Sequence, residues 1–129
     1  MLAARELAER HGVVVVLKGS RTVIASPSGV VAINPTGNPG MASGGMGDAL
    51  AGIIGALLAQ GLEPTEAAET GVFWHGAAGD DVARRQGEAG LLASDVIEAL
   101  PPALMAMQEG LFRRAPLAHR VRAKSRAKR

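Results

Sequence analysis

No cysteine and no tyrosine occur in the sequence. The first absence excludes disulfides, thiolate zinc sites and cysteine nucleophiles, and it accords with a reducing, cytoplasmic setting. Aromatic residues are confined to Phe73, Trp74 and Phe112, so a core has to be built from Val, Ile, Leu, Ala and Met. Long apolar runs are also missing. The longest, Val13 to Leu17 and Ala103 to Met107, fall far short of the ~20 residues of a membrane helix. Arg5, Glu6, Glu9 and Arg10 near the N-terminus belong to a charged helical pattern, not to a signal peptide. Acidic residues stop at Glu109: residues 1–112 hold six Arg or Lys and all twelve acids, whereas residues 113–129 hold eight Arg or Lys and no acid. The body is therefore acidic, with no basic face for nucleic acid, and the pI of about 9.7 belongs to the tail.

What is present suits one domain. A hydrophobic fraction of 47% over 129 residues is enough for a single core. Leu2 to His11 reads as a helix with Leu2 and Leu7 as its apolar positions and Gly12 as its stop. Val13 to Leu17 is a β-branched run of the kind that parallel strands covered on both faces show. Thr22–Ala25 and Val30–Ile33 flank Ser26-Pro27-Ser28-Gly29 and predict a hairpin. Two prolines and five glycines make Asn34–Gly47 a loop. A helix follows from about Asp48 to Gln60, with Leu50, Ile53, Ile54, Leu57 and Leu58 at helical spacing. The next runs from Pro64 to about Arg85, with Ala68, Val72, His75 and Gly79 on one stripe of small residues. Ser94 is a candidate N-cap for a helix bearing Val96, Ile97 and Leu100. Pro101-Pro102 should break it before a Met-rich helical segment to Glu109.

These elements make an α/β chain whose sheet is thin and whose C-terminal end is helix-rich. Residues 1–112 form the expected domain, and 113–129 a basic, disordered tail that is solvated rather than specific for nucleic acid. A strand such as Val13–Leu17 wants neighbours, so the chain reads as part of a larger sheet. Its exposed edge predicts self-association or a partner that supplies the rest.

The chemistry concentrates in Asn38-Pro39-Gly40-Met41-Ala42-Ser43-Gly44-Gly45-Met46-Gly47-Asp48. Glycines adopt positive φ and expose backbone N–H groups, and a helix N-terminus adds unpaired donors and the positive dipole end. Together they read either as an anion site suited to phosphate or as a plain glycine-rich turn with a capping Asp. Asp48 reads either as an N-cap or as a base for a hydroxyl that attacks phosphorus. Neither GxxxxGK[ST] nor GxGxxG occurs.

This stretch, continued by Leu50-Ala51-Gly52-Ile53-Ile54, resembles the signature of the ADP/ATP-dependent NAD(P)H-hydrate dehydratases of the ribokinase-like superfamily, whose general mark is Gly-x-Gly-Asp opening a helix. Lys18-Gly19-Ser20-Arg21-Thr22 resembles the family's nucleotide-side Lys-Gly loop, and His75-Gly76-x-Ala78-Gly79-Asp80 its downstream helix. The resemblance spans about Ala3 to Pro102 and covers only the C-terminal part of a ribokinase-like three-layer fold. It implies ADP- or ATP-dependent dehydration of hydrated NADH or NADPH, by phosphoryl transfer to the ring hydroxyl followed by loss of phosphate. Carried over by motif, Asp48 contacts the hydrated substrate and acts as base. Gly44, Gly45 and Gly47 form the anion hole, residues 18–22 and 38–47 line the nucleotide site, and Mg²⁺ screens the phosphates. The alternatives are another ribokinase-like small-molecule kinase, or a non-catalytic nucleotide-binding remnant.

Other residues keep plainer readings beside these. His75 fits a core histidine as well as a catalytic one. Lys18 either reaches a phosphate or snorkels to water. Asp80-Asp81 are a solvated helix face or metal ligands, and the metal ligands stay unassigned. Met41 and Met46 pack on a ligand ring or fill gaps, and Asn34 and Asn38 are turn residues.

Overall fold

The structure is a computed structural model that describes residues 1–110 and the strand at 119–122. The elements run α1 (Leu2–His11), β1 (Val15–Leu17), β2 (Val23–Ala25), β3 (Val30–Ile33), the 3₁₀ turn η1 (Pro39–Met41), α2 (Met46–Ala59), α3 (Pro64–Gln86), α4 (Ala93–Gln108) and β4 (His119–Arg122).

Three layers follow from the period-2 alternation of the strands. Val23 and Ala25 of β2 and Val31 of β3 point to one face, where Ala4 and Ala8 of α1 cover them. Ile24 and Ala32 point to the other, against Leu50 of α2 and Ala68 and Val72 of α3. The helix face that packs on the sheet is thus alanine. Leu2 and Leu7, expected as the apolar positions, are 75% and 49% exposed. Small side chains let α1 lie close over its short strands, and that packing decides the face against the two leucines.

The hairpin forms as expected, with Val23 opposite Ile33 and Ala25 opposite Val31. Gly29 closes its turn at φ 79°, and Ser26 and Val30 bond across it at 2.9 Å. The sheet order is β1-β2-β3-β4, with all pairs antiparallel. That corrects the expectation of a parallel-type strand at Val13–Leu17. Among the described strands β1 pairs with β2 alone, and Val13 just before it and Leu17 at its end are 44% and 45% exposed. β4 pairs with β3 at a place where the sequence predicts no regular structure; the rest of that tail lies outside the described residues.

The helices enclose the remaining core. Met46, Ala78, Val82, Leu91, Val96, Ala99 and Ala103 join α2, α3 and α4 in one cluster. Gly71 lets α3 approach α2, since a Cβ there would stand 2.8 Å from Ile54 Cγ1. Trp74 of α3 donates its indole N–H to the Leu100 carbonyl at 2.8 Å. Pro101 and Pro102 sit inside α4 and do not break it. The carbonyls that lose their helical partners belong to Ile97 and Glu98, both exposed residues on the solvent side of the helix. The helix starts one residue before Ser94, with Asp95 accepting the Leu92 N–H at 2.8 Å.

Candidate active site

The Asn34–Gly47 loop is tied to α3 along its length. Asn34, buried at the end of β3, donates to the Thr36 carbonyl at 2.8 Å. Thr36 Oγ1 donates to the Phe73 carbonyl at 3.0 Å. The Asp80 carboxylate accepts from Gly37 N–H and from Asn38 Nδ2, both at 2.9 Å. Asn38 Oδ1 in turn accepts from Gly40 N–H at 3.1 Å and caps η1. Gly76 and Gly79 are the seats that let this loop lie on the helix. A Cβ at Gly76 would collide with Thr36, and one at Gly79 with Met41. Ser43 Oγ fixes the far end by donating to the Leu91 carbonyl at 3.1 Å.

The anchored loop faces the Lys18–Thr22 loop across a cavity of about 610 Å³, within the ~300–1,000 Å³ usual for small-molecule sites. Lys18, Gly19, Ser20, Thr22, Asn38, Pro39, Met41, Ala42, Ser43 and Met46 line it, together with Asn34, Thr36 and His75. Arg21 borders an adjoining cavity of about 530 Å³ that shares Ser20, Asn34 and Thr36 with the first. Gly40, Gly44, Gly45, Gly47 and Asp48 are not among the lining residues of either. Gly40 lies against Glu88, and Gly44 is open to solvent.

Gly45 caps α2 in the left-handed region at φ 84°, so a side chain there would be strained. Asp48 is consequently the third residue of the helix and not its N-cap, and its side chain makes no capping bond. Its carboxylate is exposed and has no partner among the described residues. Lys18 reaches over the same turn, and its Nζ lies 2.9 Å from where a Gly47 Cβ would stand. The lysine therefore leans toward the helix start, and one ammonium and one carboxylate flank a turn with unpaired N–H donors.

Met41 fills the hollow over Gly79, and Met46 is buried in the core cluster, so both serve packing while also lining the cavity. His75 is buried, and its pKa is pushed down to about 4 by burial and by the Lys18 charge, with a hydrogen bond to the Met46 backbone pulling the other way. The imidazole is neutral at neutral pH. Asp81 pairs with Arg84 at 3.2 Å and Arg85 at 3.1 Å on the helix surface. Asp80 holds the loop, a role the sequence reading missed. The available signal was its place beside Gly76 and Gly79 in one short run. Among the described residues no three His, Asp or Glu side chains converge on a point. No described helix is long and apolar enough to cross a membrane.

A three-layer α/β/α body with a glycine-rich turn opening a helix beside a lysine loop has the ribokinase-like fold. The match with known proteins is more specific. Residues 1–102 fit the family model described as NAD(P)H-hydrate dehydratase. The bifunctional NAD(P)H-hydrate repair enzyme Nnr of Moorella thermoacetica is 51% identical over 106 residues, 82% of this chain and 20% of that protein. The ADP-dependent (S)-NAD(P)H-hydrate dehydratase of Neisseria meningitidis is 47% identical over 75% of this chain and 33% of its own length. The ADP/ATP-dependent NAD(P)H-hydrate dehydratase of Bacillus subtilis, co-crystallized with ATP and Mg²⁺, superposes with a TM-score of 0.77 at 38% identity, over 81% of this chain and 38% of that one. The chain belongs to the NAD(P)H-hydrate dehydratase family, and it spans about a fifth to two fifths of the length of these relatives.

Proposed function

We propose that this chain forms the nucleotide side of an NAD(P)H-hydrate dehydratase site. The cavity between the Lys18 loop and the anchored glycine loop, ending at the first turn of α2, carries the reading. ADP or ATP occupies that cavity with its terminal phosphate over the turn, where backbone N–H groups and Lys18 meet the charge. Mg²⁺ accompanies the nucleotide's phosphates, since the described residues form no cage for it. The hydrated nicotinamide ring presents its hydroxyl at Asp48, which takes the proton as the oxygen receives the phosphoryl group. Loss of phosphate with a ring proton then restores NADH or NADPH. The net change is hydrated cofactor plus ATP to reduced cofactor, ADP and phosphate, or AMP and phosphate from ADP.

A second reading is a nucleotide-binding module without the chemistry. Asp48 favours it, because the carboxylate lies exposed at the start of α2, outside both cavities. In the first reading a second copy or a partner chain closes the substrate side, docking along the free edge of β1. Calorimetric titration of ADP with Mg²⁺ tests the shared premise. Saturable binding that Gly45→Val abolishes supports a phosphate site at the turn; a folded protein that binds no ADP sinks both readings. The hydrated-cofactor assay, with Asp48→Asn as control, then separates enzyme from module.

A further inference from the structure

The glycine loop is held from two sides. Its first half hangs on α3, through Thr36 and Asp80. Its second half, which leads into the α2 turn, leans on the segment that joins α3 to α4. Three contacts run along that seam. A Cβ at Gly40 would stand 2.5 Å from the Glu88 carbonyl oxygen and 2.9 Å from Glu88 Cα. Ser43 Oγ donates to the Leu91 carbonyl at 3.1 Å. A Cβ at Gly45 would stand 3.2 Å from Ala93 Cβ. Each pair lies 48 positions apart, so the two segments run side by side in the same direction. The outer segment is itself fixed, with Leu91 buried among Met46, Val82 and Val96 and the Leu92 N–H bonded to Asp95 at 2.8 Å. None of residues 88–93 lines either cavity. Ser43 does line the first, but its one hydroxyl proton goes to Leu91. Its oxygen then has only lone pairs to offer, and a phosphate oxygen brings no proton to them.

We propose that residues 88–93 are a positioning element for the phosphate turn, with Ser43 as the joint. They hold Gly44, Gly45 and Gly47 in the shape that directs backbone N–H groups at the ligand's phosphates. Ser43 acts through the turn and is not a phosphate ligand. The same packing gives Gly40 and Gly45 a second reason to be glycine: a side chain at the first would displace the Glu88 backbone, and one at the second would press on Ala93. The inference rests on the nucleotide reading above.

The test is calorimetry on the full chain with ADP and with inorganic pyrophosphate, each with Mg²⁺. Ser43→Ala removes the joint, and Ala93→Val presses on Gly45 from outside both cavities. Both variants should weaken the two probes by the same factor, about three- to tenfold, the scale of one neutral hydrogen bond. A loss in Ser43→Ala alone would mean that the hydroxyl meets the ligand directly, and a loss in Ala93→Val alone that Ser43 is not the joint. A larger loss for ADP than for pyrophosphate would mean a contact with the nucleoside, and unchanged affinities would mean that the turn keeps its shape unaided. Each of these overturns the inference. So does a wild-type chain that binds ADP but not pyrophosphate, because the turn is then not what holds the phosphates. A wild-type chain that does not bind ADP defeats the nucleotide reading itself. Amide NMR of the free proteins gives a signature before any ligand is added. The Gly44, Gly45 and Gly47 resonances should shift in both variants while those of the hairpin turn Ser26–Gly29 stay in place; unmoved glycine resonances overturn the inference. Should Ala93→Val not fold, Gly90→Ala takes its place: at φ 78°, with nothing within 4 Å of its Cβ position, it strains the segment without filling space.

Discussion

Replacing Asp80 with alanine should loosen the glycine loop without touching the glycines. The carboxylate accepts two hydrogen bonds at 2.9 Å, one from the Gly37 backbone and one from the Asn38 side chain. Bonds to a charged acceptor contribute ~1.5–3 kcal/mol when buried. Here Asp80 is half-buried and Gly37 exposed, so water recovers part of the loss, and about 2 kcal/mol in total is the expected cost for Asp80→Ala. In a domain of this size that lowers the thermal midpoint by about 10 °C. Asp80→Asn keeps one acceptor oxygen and should lose about half as much. ADP affinity should fall with the same ranking, because Asn38, Pro39, Met41, Ala42 and Ser43 wall the cavity that the latch holds open. Denaturant unfolding and calorimetry on the three proteins measure both effects. Lower stability with wild-type ADP affinity would refute the latch as a part of the site. It would show that Gly76 and Gly79 seat the loop unaided.

Other substitutions probe neighbouring contacts. Gly79→Ala drives a methyl into Met41 and should cost ~1–3 kcal/mol by overpacking; adding Met41→Ala should return most of it, and an additive double mutant in denaturant unfolding would contradict the contact. Trp74→Phe removes the donor to the Leu100 carbonyl and should destabilise by about 1 kcal/mol, as read by the urea midpoint. For His75 the folded pKa of about 4 lies below the ordinary 6.5, so the unfolded chain binds the extra proton between these values. Stability from this group is complete above pH 6.5 and declines as pH falls toward 4. His75→Gln should flatten that part of the stability profile relative to wild type, and parallel profiles would show that the ring does not titrate this way.

Much of the helical body was legible because its cause is local. Periodic leucines and isoleucines marked α2, and Gly12, Gly61 and Pro64 punctuated the helices at the positions where they end and begin. The hairpin was legible from its turn residues. Properties set by distant neighbours were not. β1 has the composition of a doubly covered strand, but its sequence cannot say which strands lie beside it. Leu2 and Leu7 lost the buried face to Ala4 and Ala8 because a short sheet takes a helix with small residues. Pro101 and Pro102 stayed helical at a place where the residues four positions before them, Ile97 and Glu98, are exposed, which depends on where α4 docks. At the site, the glycine turn that opens α2 was readable from its residues. The Asp80 latch joins positions 43 residues apart, and no local pattern announces a contact of that range.

Trp74 has an optical consequence. The sequence holds one tryptophan and no tyrosine, so intrinsic emission comes almost wholly from the indole that spans α3 and α4. Its neighbourhood belongs to the helical clusters, away from the sheet. Fluorescence therefore watches the detachment of α4, while far-ultraviolet circular dichroism sums over every helix. If the two unfolding curves separate, the protein comes apart as two cooperative units, with α4 leaving the body first or last.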